Sequence, residues 1–109
     1  MNANTNEYGV KLDRNGYAPS ILQDTEKCRL CGTRTGRLER HEIYNAANRK
    51  KSKAYGLWVW LCHGCHMRIT HENGKERMLL KEKSQERALE YYRWTAEDFR
   101  ARFGKNYLD

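Results

Sequence analysis

No stretch of this 109-residue chain approaches the ~18 consecutive apolar residues of a membrane-spanning helix, and mean hydropathy is -1.04, so a transmembrane role is excluded at the sequence level. The first ten residues, MNANTNEYGV, lack the apolar core of a secretion signal, and a cytoplasmic location is expected. Proline is nearly absent, with Pro19 alone, so no Pro-rich linker divides the chain. Acidic residues are the minority charge: 14 Asp and Glu stand against 21 Lys and Arg, a net charge of +7. Cysteine is also scarce, at four residues, but all four fall in two CxxC pairs, Cys28/Cys31 and Cys62/Cys65.

That pairing is the strongest signal in the chain. Two CxxC pairs match the tetrahedral thiolate set of a structural zinc site, and without a signal stretch nothing places the cysteines in an oxidising compartment. Zinc is therefore expected in preference to disulfides. A chain of this length buries only about two-thirds of its unfolded surface. A zinc staple would help, since such ions contribute on the order of 10–16 kcal/mol in isolated finger peptides. His41, His66 and His71 lie near the cysteines and are not needed to complete that site, so ligands for a second metal are implied, while His63, inside the second CxxC pair, reads as a surface residue or a weak zinc neighbour.

The excess of positive charge favours a polyanionic partner, nucleic acid above all. The cations cluster: Arg34, Arg37, Arg40, Arg49, Lys50, Lys51 and Lys53 lie between the two cysteine pairs with only Glu39 and Glu42 as acids. One zinc joining the pairs would make this a projecting basic loop in which Arg40, Arg49, Lys50, Lys51 and Lys53 could track phosphates.

Three parts are expected. Residues 1–27 are polar and read as an extended N-terminal arm with turns. Residues 28–74 form the metal-bearing centre, with a short strand at Leu38 to Ile43, a clearer one at Gly56 to Leu61, and a helix from His63 to about Glu72 that Asn73-Gly74 would stop. Residues 75–109 read as helices of the same domain. One runs from Lys75 to Trp94, its middle devoid of apolar residues and so expected to be exposed; a shorter one follows, capped by Thr95 and Asp98 and closed by Gly104. Trp58 and Trp60 share one strand face and are expected to pack rather than to stack on bases.

The segments Cys28-Arg29-Leu30-Cys31, Arg40-His41-Glu42-Ile43, Leu61-Cys62-His63-Gly64-Cys65-His66 and His71 resemble the HNH, or His-Me finger, nuclease family. Together with Lys11 to Ile21 and Phe103 to Leu108, they are similar to small HNH proteins encoded in phages and prophages. The resemblance implies an α+β fold with a ββα-metal core, a pair of zinc knuckles sharing four cysteines, an extended N-terminal arm and C-terminal helices. It implies metal-dependent hydrolysis of DNA phosphodiester bonds, by nicking or double-strand cutting, with other phage proteins as further partners and the host cytoplasm as location.

In that family a strand histidine activates water and one divalent ion polarises the scissile phosphate. Carried over by position, His41 is the base or the ligand beside it, Glu42 stands where the base more often lies, and His66 is the helix ligand of the catalytic ion, which could be Mg²⁺, Mn²⁺, Ni²⁺ or Zn²⁺. His71 is the third candidate ligand, although five residues of straight helix turn about 500° and leave it roughly 140° from His66, so both reach one ion only where the helix ends or distorts between them. The family's central Asn is missing before the second strand, where Gly56-Leu57 stands; Asn48, ahead of Asn45, is the candidate replacement. The competing reading is a non-catalytic zinc module that docks nucleic acid or a phage protein.

Overall fold

The run Trp58-Val59-Trp60-Leu61-Cys62 is aromatic and β-branched, suits a pleated surface buried on both sides, and forms the central strand. In the computed structural model, which describes residues 4–72 and 74–108, this strand, β2 (Trp58–Cys62), pairs antiparallel with β1 (Leu38–Glu42). The register sets Leu38 opposite Cys62, His41 opposite Val59 and Glu42 opposite Trp58. Val59 and Leu61 are fully buried, and each contributes about 1.5–3 kcal/mol by leaving water.

The expected basic loop between the strands is instead a single 3-10 turn (Ala46–Asn48) and a short helix, α1 (Arg49–Ala54). The physical reason lies in its composition, Arg-Lys-Lys-Ser-Lys-Ala, which holds good helix formers and no glycine or proline. Ser52, fully buried, ties the neck of this excursion: its hydroxyl donates to Leu57 O at 2.6 Å and accepts from the Tyr44 N–H at 3.1 Å.

β2 passes into α2 (His63–His71) without a loop, with Cys62 as the extended N-cap. The expected stop at Asn73-Gly74 falls partly on Asn73, outside the described residues; α2 ends at His71, and α3 (Gly74–Tyr92) begins at Gly74. The middle of α3 is exposed on one face only, at Lys83, Glu86 and Arg87, and packs by the other. Ser84, Gln85 and Ala88 are buried, and the Gln85 amide donates to Asn106 Oδ1 at 2.6 Å and accepts from the Tyr107 N–H at 2.7 Å. A polar side chain with both ends hydrogen-bonded can occupy a core position that apolar periodicity would never mark. The last helix, α4 (Ala96–Phe103), has the expected capping box between Thr95 and Asp98 and ends at Gly104 with φ 80°.

Residues 4–27 run as turns and bends with one isolated bridge between Thr5 and Lys11, and their second half lies against β2. The Ala18 N–H bonds Lys53 O, the Ile21 N–H bonds Gly56 O, and the Trp58 indole N–H bonds Ala18 O at 2.8 Å. Contact is closest at Gly56, whose φ is +72° and where an added Cβ would sit 2.4 Å from Pro19 O. Phe99, Phe103, Tyr44 and Ile43 close the core beneath the sheet, and the Tyr44 hydroxyl reaches Lys81 O at 2.6 Å. Among the described residues the result is an α+β architecture with one two-stranded antiparallel sheet and four α-helices. Among the described residues no helix is long and apolar enough to cross a membrane.

Candidate metal centre and adjoining cleft

The two CxxC pairs meet. The turn after Cys28 and the start of α2 bring the four Sγ atoms of Cys28, Cys31, Cys62 and Cys65 within 4.8 Å of one another, with Cys31 and Cys62 at 3.8 Å. Four sulfurs placed tetrahedrally at about 2.3 Å from a zinc ion would be separated by about 3.8 Å, so the donor set and its spacing fit that ion. None of the cysteines is in a disulfide. The first thiol of each pair also accepts the backbone N–H of the second cysteine: Cys31 N to Cys28 Sγ and Cys65 N to Cys62 Sγ, both at 3.5 Å. Burial raises the Cys28 thiol, but backbone N–H groups outweigh it and pull it down to about 6. Burial pushes Cys65 up to about 12. A bound cation would resolve that opposition by stabilising all four thiolates.

Beside this centre, where β1 ends against α2, lies an open cleft of about 670 Å³ lined by His41, Glu42, Arg40, Arg49, His66, Tyr17, Asn45, Ala46 and Thr70. His41 is buried at 7% exposure; its backbone pairs with Val59 across the sheet, and its imidazole makes no hydrogen bond to a described residue. Its ring meets His66 edge to face, with centroids 5.2 Å apart. Burial, then the neighbouring His66, lowers the His41 pKa to about 4, so near neutral pH the imidazole is uncharged and has a lone pair to offer.

His66 is held from behind. Its Nδ1 lies 2.8 Å from Glu39 Oε1, and His63 Nδ1 lies 3.1 Å from the other oxygen, Glu39 Oε2. Hydrogen bonding by His66, then by His63, keeps the Glu39 carboxyl below its ordinary range. His63, exposed and inside the second CxxC pair, is thus tied to the same carboxylate as the cleft histidine.

Glu42 reaches the cleft with both oxygens engaged: Oε2 accepts from the Tyr17 hydroxyl at 2.6 Å and Oε1 from Arg49 Nε at 2.7 Å. A carboxylate so partnered is better placed to hold Arg49 and the N-terminal arm than to take a proton. Arg40 pairs with Asp13 at 2.8 Å, and its guanidinium lies 4.3 Å from the Tyr17 ring centroid and 5.0 Å from that of Trp58. The tryptophans therefore pack as expected, and they also seat a cation at the cleft rim.

Other expected site residues lie elsewhere. His71 is exposed at the last position of an unbroken α2 and does not line the cleft. Asn48 donates its amide to Phe103 O at 2.9 Å, fastening the 3-10 turn to α4, while Asn45 lines the cleft. Lys51 bonds Arg102 O, and Lys53 lies 4.8 Å from the Tyr17 ring centroid. Lys50 is exposed on α1. Sequence reasoning missed Glu39 and Tyr17 as site residues. A signal for Glu39 existed: residues 39 and 41 share a strand face, and 63 and 66 share a helix face.

Among the described residues the four cysteines are the sole group of three or more side chains spaced to hold a metal. The cleft itself supplies two imidazoles. No family model, curated protein or solved structure matches this chain.

Proposed function

We propose that the chain is a metal-dependent HNH-type endonuclease, a ββα-metal fold that hydrolyses DNA phosphodiester bonds. The observation that carries this reading is the buried, uncharged His41 imidazole, free of hydrogen bonds to described residues, which meets His66 edge to face in a cleft rimmed by Arg40 and Arg49. An antiparallel strand pair whose second strand runs into α2 suits the resemblance in the histidine segments, although α1 intervenes between the strands, and the basic balance of the chain suits a polyanion.

The two imidazoles offer two of the donors that a divalent ion needs, leaving the rest to water and phosphate oxygens. Such an ion, when bound, would polarise the scissile phosphate and stabilise the leaving oxygen. His41 contributes a neutral nitrogen that can ligate or accept a proton. Arg49 and Arg40 place positive charge where phosphate oxygens would lie. Glu42 and Tyr17 hold Arg49 and the arm in place. A zinc held by Cys28, Cys31, Cys62 and Cys65 would fix the start of α2 and so the position of His66.

Supercoiled plasmid incubated with the zinc-loaded protein across Mg²⁺, Mn²⁺ and Ni²⁺ tests the reading, with His41→Ala and His66→Ala alongside. Nicking by the parent and a loss of about 100-fold or more in each variant is expected. No nicking with any metal, or variants that cut as well as the parent, rejects it; DNA retention without cutting would favour the zinc module that docks nucleic acid.

A further inference from the structure

We propose that Glu39 is a positioning residue that fixes the His66 proton on Nδ1 and presents the bare Nε2 to the cleft as a donor for a divalent cation. A carboxylate 2.8 Å from Nδ1 can only accept, so that nitrogen must carry the hydrogen. In a neutral imidazole the other nitrogen is then the acceptor, and it is the one left for the cleft. A solvated histidine side chain prefers the opposite tautomer, so the clamp does something that water would not. His66 is about a quarter exposed, which leaves the protein rather than bulk solvent to decide the matter.

The clamp is rigid for reasons that sit in the backbone. Glu39 lies on β1, opposite Leu61 in the register, and shares a strand face with His41. β2 runs into α2 through the Cys62 N-cap with no intervening loop, so strand and helix cannot shift independently. The second carboxylate oxygen is taken by His63, three residues before His66 on the same helix face. Both oxygens being used, the carboxylate cannot swing away from His66 without losing His63 as well. A partly exposed hydrogen bond of this kind contributes little to stability, so its consequence is the placement of a proton rather than the strength of the fold.

The tautomer follows from geometry alone, and its link to a cleft cation rests on the nuclease reading. Long-range ¹H–¹⁵N correlation spectra of zinc-loaded protein, recorded well above the ordinary imidazole pKa and without DNA, read the tautomer directly. The parent should show His66 protonated at Nδ1, and Glu39→Ala should invert this with zinc content and backbone amide spectrum unchanged. Titration with Ni²⁺ should show about 10-fold or greater weakening in Glu39→Ala, and no further weakening when Glu39→Ala is added to His66→Ala. A parent His66 protonated at Nε2 overturns the proposal without any variant. So does a tautomer or nickel affinity indifferent to Glu39, or an equal loss in the His66→Ala background, which would mark Glu39 as a structural staple. Plasmid nicking plays no part, so an inactive protein with the expected tautomer would sink only the nuclease reading.

Discussion

At the residue scale, His41 has the property that separates a site from a surface: its imidazole is buried, uncharged and without a hydrogen bond to a described residue. The unfolded chain takes up a proton at this position below about pH 6.5, whereas the folded chain does not until about 4. Between those values the unfolded state holds more protons, so stability falls as pH drops through the window, by up to about 3 kcal/mol. Urea denaturation at stepped pH should show that slope in the parent and a shallower one in His41→Gln, with acid release of zinc common to both. Equal slopes would mean that His41 is not a buried neutral imidazole. Glu42 should behave differently. Because its oxygens already serve Tyr17 and Arg49, Glu42→Gln should lower nicking less than about 10-fold while His41→Ala removes about 100-fold or more. A Glu42→Gln loss as deep as that of His41→Ala would return the base role to the carboxylate.

At the element scale, the connections between segments are fastened by polar groups at particular points. Gly56 receives the arm, with its left-handed φ and Pro19 O against its missing side chain. Gly56→Ala should therefore cost several kcal/mol, roughly 2 or more, and loosen residues 18–21 from β2, a change that amide hydrogen exchange would register. Asn48 links the 3-10 turn to α4 through Phe103 O. Asn48→Ala should lower the unfolding midpoint by an amount equivalent to about 1 kcal/mol and leave nicking per folded molecule unchanged, which nicking measured beside thermal unfolding would reveal. A selective loss of cutting would place Asn48 in the chemistry after all. The capping of α4 and the strand at Trp58 to Cys62 were legible in the sequence because their signals are local: a hydroxyl three residues from an acid, and a run of aromatic and β-branched residues. The burial of Gln85 was not, because it depends on Asn106 and Tyr107 arriving from another segment.

At the scale of the whole molecule, the four thiols join the arm side of β1 to the start of α2, so metal and fold should be lost together. Elemental analysis should find one zinc per chain that survives dialysis, and a strong chelator should abolish the far-ultraviolet circular dichroism signal of folded helices together with the metal. Retention of the fold after full zinc removal would show that the sheet and aromatic core suffice alone. Cys31→Ser should give the same unfolding, since three thiolates leave the tetrahedral set incomplete.

The sequence by itself determined the two CxxC pairs, the two strands, the helices after them, the caps of α4 and the identity of the histidines worth watching, because spacing and local propensity act within a few residues; it did not mark α1. Which histidines meet was a tertiary decision. Register placed His41 beside Val59, the loop-free passage from β2 to α2 turned His66 toward it, and the unbroken helix left His71 outside. The same packing brought Glu39 to His66 and Tyr17 to Glu42 across 27 and 25 residues of chain. Such contacts follow from the direction in which a folded strand or helix points its side chains, and no window of sequence contains both partners.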